Sequence, residues 1–286
     1  MRFFLKAILF LFAIFLNTNN VFSQVLKGIV LDAESGLPIP YASIGIVGKK
    51  TGTFGDENAN FKLLVTEYSP KDSIRFSCIG YLNKSFCVSS LFQESNDTIS
   101  IVVKLKRANY ELGEVIIYNK KTKIIKIGNK RATHTILLGM VDNKERGVIF
   151  SNRRNLLLKE VSFRLSTSWG SPPDSAIFRF NIYNVADGLP NENILSQPIY
   201  LHLSKEDFNN YATFDISKHN ITIDKDFAAT FEFVKQYGGH RVYFTGQFTG
   251  KKSIYRNGQQ GVWRDDYDDS PLKLKQSLII TAQYYE

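Results

Sequence analysis

Hydrophobic residues recur at every second position along most of this chain, and this period of two constrains the fold more than any other feature. The runs from Phe61 to Val65 and from Ile99 to Leu105 are typical of the first half, and Phe178, Phe180 and Ile182 are typical of the second. No long stretch has the 3.6-residue period of an amphipathic helix. We therefore predict an all-β protein.

The chain has 286 residues, of which 43% are hydrophobic, which is enough for two cores. Short apolar runs separated by turn clusters predict a β-sandwich over residues 24–118. Longer alternating runs predict a second, jelly-roll-like sandwich over residues 156–286. Residues 119–155 are predicted to form a basic linker and a first strand region.

The N-terminus has the pattern of a secretory signal peptide. Arg2 and Lys6 precede an apolar run from Ala7 to Leu16, which is shorter than a membrane-spanning helix needs. Small residues before Gln24 suit a signal peptidase. We predict that residues 1–23 are removed and that the protein is exported to the periplasm, the outer membrane or the extracellular space.

The formal net charge of +9 is concentrated in one region. Residues 119–160 hold eleven basic and three acidic residues, whereas the two predicted domains are close to neutral. An exported protein rarely meets nucleic acid, so no nucleic-acid partner is expected. Residues 119–131 are predicted either to contact an anionic lipid or polysaccharide surface or to form a solvated linker.

Four ordered motifs in the first half carry a family resemblance. They are Gly28–Asp32 with Ser35–Ile44, Gly52-Thr53 with Asp56-Glu57 and Phe61, Asp72–Ser77 with Ile79-Gly80-Tyr81, and Leu112–Val115. Together they resemble the carboxypeptidase-regulatory-like domain of Gram-negative envelope proteins, although Ala59 stands where that family usually has glycine. The resemblance implies a small transthyretin-like sandwich that accompanies another domain and has no activity of its own.

The second half resembles a jelly-roll domain of uncharacterised envelope proteins. The residues that carry this resemblance are Phe180–Val185, Gly188–Pro190, Phe214–Ser217 and Ile221–Ile223. Related jelly rolls often bind sugars, but a shared fold does not by itself assign a function.

The sequence lacks the motifs of the common hydrolases and nucleotide-binding enzymes. No histidine is followed three residues later by glutamate, and HExxH, GxSxG and GxxxxGK[ST] are all missing. We therefore predict a non-enzymatic accessory protein that binds a glycan or an envelope protein. One alternative is a glycoside hydrolase in which Glu232 faces Asp265 and Asp266. Another is an accessory partner of an outer-membrane receptor.

Three aromatic positions are candidates for ligand binding. Tyr255-Arg256 and Trp263-Arg264 pair a flat ring with a polar group, and Trp169 begins a loop with Gly170. Such rings can stack on a sugar, or they can close the end of a sandwich.

The cluster of Asp265, Asp266, Asp268 and Asp269 offers carboxylate oxygens of the kind that calcium prefers. It does not fit the EF-hand pattern, and a solvated loop is the alternative. Calcium is the only cofactor that the sequence suggests.

Cys78 and Cys87 lie on either side of a predicted hairpin turn. In an oxidising compartment they can pair as a disulfide if the strand register brings them within reach, or they can remain separate thiols. A catalytic role is not expected, because no histidine lies near either of them in the sequence.

Overall fold

A computed structural model describes residues 24–66, 68–92, 98–108, 121–129, 136–139, 144–167, 170–208, 210–265 and 274–285. Almost all of the regular structure in these residues is β-strand, and the strands form four sheets. The prediction of an all-β protein is confirmed. Within the described residues, no helix is long and apolar enough to cross a membrane.

The N-terminal unit is a sandwich of two sheets. One sheet has the strand order β4-β1-β7, and the other has the order β3-β2-β5-β6. The bounds are β1 (Gln24–Asp32), β2 (Ser43–Ile46), β3 (Gly52–Phe54), β4 (Asn60–Val65), β5 (Ser73–Ser77), β6 (Lys84–Cys87), a single helical turn α1 (Val88–Leu91) and β7 (Thr98–Leu105). Strand β4 alternates strictly between exposed and buried residues, which is why its sequence has a clear period of two.

Two tight turns fix the ends of these strands. After β1, the Asp32 carboxylate accepts hydrogen bonds from the backbone N–H groups of Glu34 (2.8 Å) and Ser35 (3.1 Å). These bonds hold the pKa of Asp32 well below its ordinary value of 3.8. Before β4, Ala59 is buried and has φ of 63°, a conformation that normally favours glycine. This explains why the resembling family usually places glycine at that position.

The C-terminal unit also consists of two facing sheets. The seven-stranded sheet has the order β13-β12-β17-β10-β19-β20, with β14 paired to β12. The eight-stranded sheet has the order β21-β18-β11-β22-β8, with β15 and β16 paired to β11 and β9 paired to β18. Phenylalanine rings from both sheets, including Phe163, Phe178, Phe231 and Phe244, pack at the centre of the shared core.

The strands of the C-terminal unit have the following bounds: β8 (Thr122–Gly128), β9 (Ile136–Gly139), β10 (Lys144–Phe150), β11 (Leu156–Thr167), β12 (Ser175–Ala186), β13 (Leu189–Asn193), β14 (Ile199–Ser204), β15 (Tyr211–Asp215), β16 (Thr222–Ile223), β17 (Phe227–Tyr237), β18 (Val242–Gln247), β19 (Ser253–Asn257), β20 (Arg264–Asp265), β21 (Lys275–Gln276) and β22 (Leu278–Tyr285). Short 3-10 turns occur at Lys205–Asp207 and Ser217–His219.

The described part of the predicted linker, residues 119–155, belongs to the C-terminal sheets. Strand β8 pairs with β22 over seven residues, and β10 lies between β17 and β19. The basic residues Lys123 and Lys126 lie on β8, which ends its sheet, and lysines on an edge strand discourage unwanted strand pairing. The C-terminal unit therefore starts well before residue 156, and its basic charge lies partly on an edge strand.

Candidate functional site between the two units

The β3-β2-β5-β6 sheet of the N-terminal unit faces the seven-stranded sheet of the C-terminal unit, and direct hydrogen bonds join them. The Gly48 N–H donates to the Gln260 carbonyl (2.8 Å), and the Gln260 amide donates to the Ser77 hydroxyl (2.8 Å). Farther along, the Arg179 guanidinium donates to the Tyr41 carbonyl (3.1 Å) and to the Ser43 hydroxyl (2.5 Å). The two units therefore share one polar interface.

A row of four charged residues crosses the seven-stranded sheet on the side that faces the N-terminal unit. Arg256, Glu145, Glu232 and Arg179 lie directly opposite one another on β19, β10, β17 and β12. We call these four residues the ionic row. Both glutamates are 1% exposed and Arg179 is 4% exposed, so the charges are shielded from solvent.

Each glutamate of the ionic row is paired with the arginine beside it. Arg256 donates to Glu145 from Nε (2.8 Å) and lies 2.6 Å from it through Nη2. Arg179 donates to Glu232 from Nε (3.0 Å) and Nη2 (2.5 Å). In each pair, both guanidinium nitrogens approach the same carboxylate oxygen, Oε2, and such charge-assisted contacts are stronger than hydrogen bonds between neutral groups.

Neutral side chains complete the surroundings of Glu145. It accepts hydrogen bonds from the Asn181 amide (2.8 Å), the Tyr183 hydroxyl (3.1 Å) and the Thr230 hydroxyl. Burial, followed by the Glu145 carboxylate, raises the pKa of Tyr183, so this phenol stays protonated as a donor.

Glu232 is less well satisfied than Glu145. Its Oε1 atom is buried and makes no hydrogen bond within the described residues. Burial raises the pKa of Glu232, although the Arg179 guanidinium acts in the opposite direction. Glu232 therefore depends on Arg179 for most of its stabilisation.

A cleft of about 480 Å³ opens between the two units beside the ionic row. Arg179 and Arg256 line it from the C-terminal unit, and Arg75 lines it from the N-terminal unit. Six side-chain amides also line the cleft: Asn83, Asn181, Asn191, Asn193, Gln259 and Gln260. The cleft is thus a polar site to which both units contribute.

A second cavity of about 270 Å³ lies at the same interface. Its lining includes the rings of Tyr41, Phe54 and Phe233 and the charged side chains of Asp56 and Lys235. Tyr41 lines this cavity, and its carbonyl accepts the hydrogen bond from Arg179, which lines the cleft.

The aromatic residues predicted to bind a ligand have different positions. Tyr255 is completely buried, with the Arg146 guanidinium 5.2 Å from its ring centre, so the predicted stacking on a ligand is wrong for this residue. Trp263 is half-buried, and its ring centre lies 4.7 Å from the Arg256 guanidinium and 5.5 Å from that of Tyr183. Trp263 therefore packs against two residues that line the cleft but is not itself part of the lining. Arg264 is exposed on β20, and Trp169 lies outside the described residues.

Of the acidic cluster, only Asp265 falls within the described residues, where it forms an ion pair with Lys252 (3.3 Å). Asp266, Asp268 and Asp269 lie outside them, so the calcium site stays a prediction. In the part of the chain that is described, no group of three or more metal-binding side chains occurs.

The alternative glycosidase arrangement is not formed by its described members. Glu232 is buried against Arg179, and Asp265 lies on β20, three strand positions away from β17. At the usual strand spacing these strands are about 14 Å apart, which exceeds the carboxylate separation of a glycosidase pair.

The suggested Cys78–Cys87 disulfide is also not formed, since both cysteines are free. Cys87 pairs with Ser73 at one end of the β5–β6 hairpin, whereas Cys78 follows β5 at the other end. This register separates the two residues by about 16 Å, far beyond the reach of a disulfide.

Sequence reasoning missed Glu145, Arg179 and Asn181. A signal for two of them is present in β12, where Arg179, Asn181 and Tyr183 alternate with Phe178, Phe180 and Ile182. The pattern shows that polar residues occupy one face of the strand. It does not show that another unit covers this face.

Comparison with protein families identifies the N-terminal unit. Residues 26–117 match the family model of the CarboxypepD_reg-like domain. The predicted resemblance to a carboxypeptidase-regulatory-like domain is confirmed for this unit, which supplies one wall of the cleft. No curated protein matches the chain.

Three solved structures that match the chain are distant from it in sequence. A protein of unknown function from Bacteroides fragilis NCTC 9343 is 11% identical, with 92% of this chain and 97% of that chain covered and a TM-score of 0.24. The major pilin subunit BcpA of Bacillus cereus is 12% identical, with coverage of 85% and 67% and a TM-score of 0.21. A DUF3823 family protein from Bacteroides uniformis is 8% identical, with coverage of 90% and 96% and a TM-score of 0.18. Matches at this level do not bear on function.

Proposed function

We propose that this protein is a non-enzymatic accessory protein that binds a neutral, hydroxyl-rich glycan in the cleft between its two units. The observation that carries the proposal is the composition of the cleft, where six amides surround a set of charges that cancel.

The charge balance favours a neutral ligand. Three arginines and the exposed Glu192 line the cleft, and Glu145 and Glu232 pair with two of those arginines. The formal charges of these six residues sum to zero. An anionic ligand would gain little from the two guanidinium groups that are already paired with carboxylates, and the charge of Arg75 is offset by that of Glu192 in the same lining.

The amides favour a ligand that both donates and accepts hydrogen bonds. Each asparagine or glutamine side chain offers a carbonyl acceptor and an NH₂ donor, and each sugar hydroxyl can act in both ways. Asn83 and Asn191 are exposed and approach the cleft from different units. A glycan can therefore contact both walls at once.

The geometry also supports binding without catalysis. The two buried carboxylates beside the cleft, Glu145 and Glu232, are engaged with arginine and nearly inaccessible to solvent, so neither is placed to exchange a proton with a bound ligand. The exposed Glu192 has no second acidic residue beside it in the described lining of the cleft. Hydrogen bonds across the interface fix the two walls in advance, which lowers the entropy cost of binding.

An exported location is part of the proposal, and the N-terminal pattern of residues 1–23 supports it. Mass spectrometry of the protein from its native cells is expected to give a chain that starts at Gln24. Recovery of the intact N-terminus from the cytosol would contradict export.

The proposal is tested by screening the chain from Gln24 onward on a glycan array, with and without calcium. Binding is expected to weaken at least about tenfold in Asn83→Ala and in Asn191→Ala, since each removes about 1.5 kcal/mol of hydrogen bonding. Asn210→Ala is the matched control, because Asn210 is exposed and lies outside the cleft.

Two outcomes would contradict the proposal. One is an array at background for the unaltered chain, which would favour a protein partner sought by crosslinking in the native envelope. The other is equal binding by all three variants, which would place the glycan elsewhere.

A further inference from the structure

The two sheets of the N-terminal unit have different surroundings. The β3-β2-β5-β6 sheet is covered by the C-terminal unit, whereas the β4-β1-β7 sheet faces away from it. We call the outward side of the β4-β1-β7 sheet the outer face. None of its residues lines the cleft, so a partner bound to the outer face would not occupy the proposed glycan site.

The outer face is cationic. Lys27 on β1, Lys62 on β4 and Lys104 on β7 are exposed, and none of the outward positions on these three strands is acidic. Within the described residues, none of these lysines forms a salt bridge. The face thus carries three positive charges that the described part of the protein leaves uncompensated.

The strand register makes this charge costly. Lys27 and Lys62 lie directly opposite each other on antiparallel strands. Like charges in this position repel each other and weaken the sheet. An anionic partner would relieve the repulsion.

Exposed aliphatic side chains lie on the same face as the lysines. Leu64 is 53% exposed and Val102 is 61% exposed, and Val102 pairs with Ile29 in the next strand. A purely electrostatic surface would not need exposed aliphatic groups beside its lysines. At a lipid surface, amines bind phosphate headgroups while aliphatic groups enter the boundary with the acyl chains.

From this combination we infer that the outer face binds an anionic phospholipid surface. The inference differs from the sequence prediction, which assigned such contact to residues 119–131.

The test is flotation of the chain from Gln24 onward with phosphatidylcholine vesicles, with or without about a third phosphatidylglycerol. This chain contains every described residue and lacks the apolar residues 7–16, which could bind lipid themselves. The variant is Lys27→Gln/Lys62→Gln/Lys104→Gln. The matched control is Lys121→Gln/Lys123→Gln/Lys126→Gln, which removes the same charge from the region of β8.

Binding is expected only to vesicles that contain the anionic lipid. The outer-face triple variant is expected to bind about a hundredfold more weakly. Each of its three lysines strengthens binding to an anionic membrane by a similar factor, and the variant loses all three. The control variant is expected to bind like the unaltered chain. Leu64→Ser/Val102→Ser is expected to weaken binding several-fold, and thermal unfolding checks that each variant is folded.

Three results would overturn the inference. The first is no binding of the unaltered chain to anionic vesicles. The second is loss of binding in the β8 variant but not in the outer-face variant. The third is equal loss in both, which would indicate a response to net charge alone.

Discussion

The ionic row and the outer face both place charged residues directly opposite one another on neighbouring strands. In the ionic row, Glu145 and Glu232 are adjacent and each has an arginine on its other side. On the outer face, Lys27 and Lys62 are adjacent and have no such partner within the described residues. Three residues of the ionic row are buried and Arg256 is partly buried, whereas both lysines are exposed.

The difference follows from the cost of burying charge. A charge that leaves water must be paired and hydrogen-bonded, or the fold loses several kcal/mol. A charge on the surface is screened by water and salt, so a like-charged neighbour costs only a fraction of that amount. The charge-balanced ionic row therefore stabilises the fold, whereas the lysines of the outer face are available to bind a partner.

The largest effect is expected from breaking the balance at Glu145. Glu145→Ala leaves Arg256, Asn181 and Tyr183 without their shared acceptor, and we expect the free energy of unfolding to fall by about 3–5 kcal/mol. Urea denaturation measures this change. The exposed Glu192→Ala is the control and should shift the free energy by less than about 0.5 kcal/mol. A loss below about 1 kcal/mol in Glu145→Ala would mean that the row is not a structural unit.

A second variant tests the pairing of Arg179 with Glu232. Arg179→Met leaves a buried carboxylate unpaired and removes two bonds to the N-terminal unit, so we expect a loss of about 3 kcal/mol. Adding Glu232→Leu removes that carboxylate and should restore at least about 1 kcal/mol in urea denaturation. If the double variant lost the sum of the two single-variant losses in free energy of unfolding, the proposed pairing of Arg179 with Glu232 would be contradicted.

The fold class could be predicted because alternation is a local property of each strand. The turn at Asp32 is local in the same way, since its acceptor and donors lie within three residues. The ionic row could not be predicted, because its members come together only through strand pairing across the sheet, as when Glu145 meets Glu232. Glu145 also lies in the region 119–155, which was predicted to be a linker because it is rich in basic residues.

The candidate cleft was even less accessible to sequence reasoning. Each wall belongs to a different unit, and Asn83 and Asn191 are unremarkable surface residues when the units are considered separately. Tyr255 was predicted to bind a ligand because it is a large ring beside an arginine. A large ring is equally suited to burial, and Tyr255 is completely buried.

Asp32 lies outside both the ionic row and the outer face, and it is expected to make the stability of the protein depend on pH. Because backbone hydrogen bonds lower the pKa of Asp32 in the folded state, its contribution is complete well above the unfolded value of 3.8 and is lost as pH falls below it. Thermal unfolding followed from pH 6 downward should therefore show a shallower acid decline in Asp32→Asn than in the unaltered chain. If both chains lost thermal stability equally as pH fell, Asp32 would not be the stabilising carboxylate inferred here.

The smallest expected effect is a gain in stability on the outer face. Lys62→Gln removes the repulsion with Lys27 and should raise the free energy of unfolding by about 0.2–0.5 kcal/mol at low salt. The gain should shrink as salt is added, because salt screens exposed charges. The control Lys71→Gln, in an exposed turn, should show no such gain. A loss of stability in Lys62→Gln would show that the lysine pair is not repulsive.

The central claim is that a charge-balanced cleft binds a neutral glycan. Its most direct test is the affinity for the strongest array ligand, measured by calorimetry at low and at high salt. The account predicts affinities that agree within about twofold, because a neutral ligand in a balanced site gains nothing that salt can screen. A fall of about tenfold or more at high salt would show that the cleft, or another cationic surface, selects an anion instead.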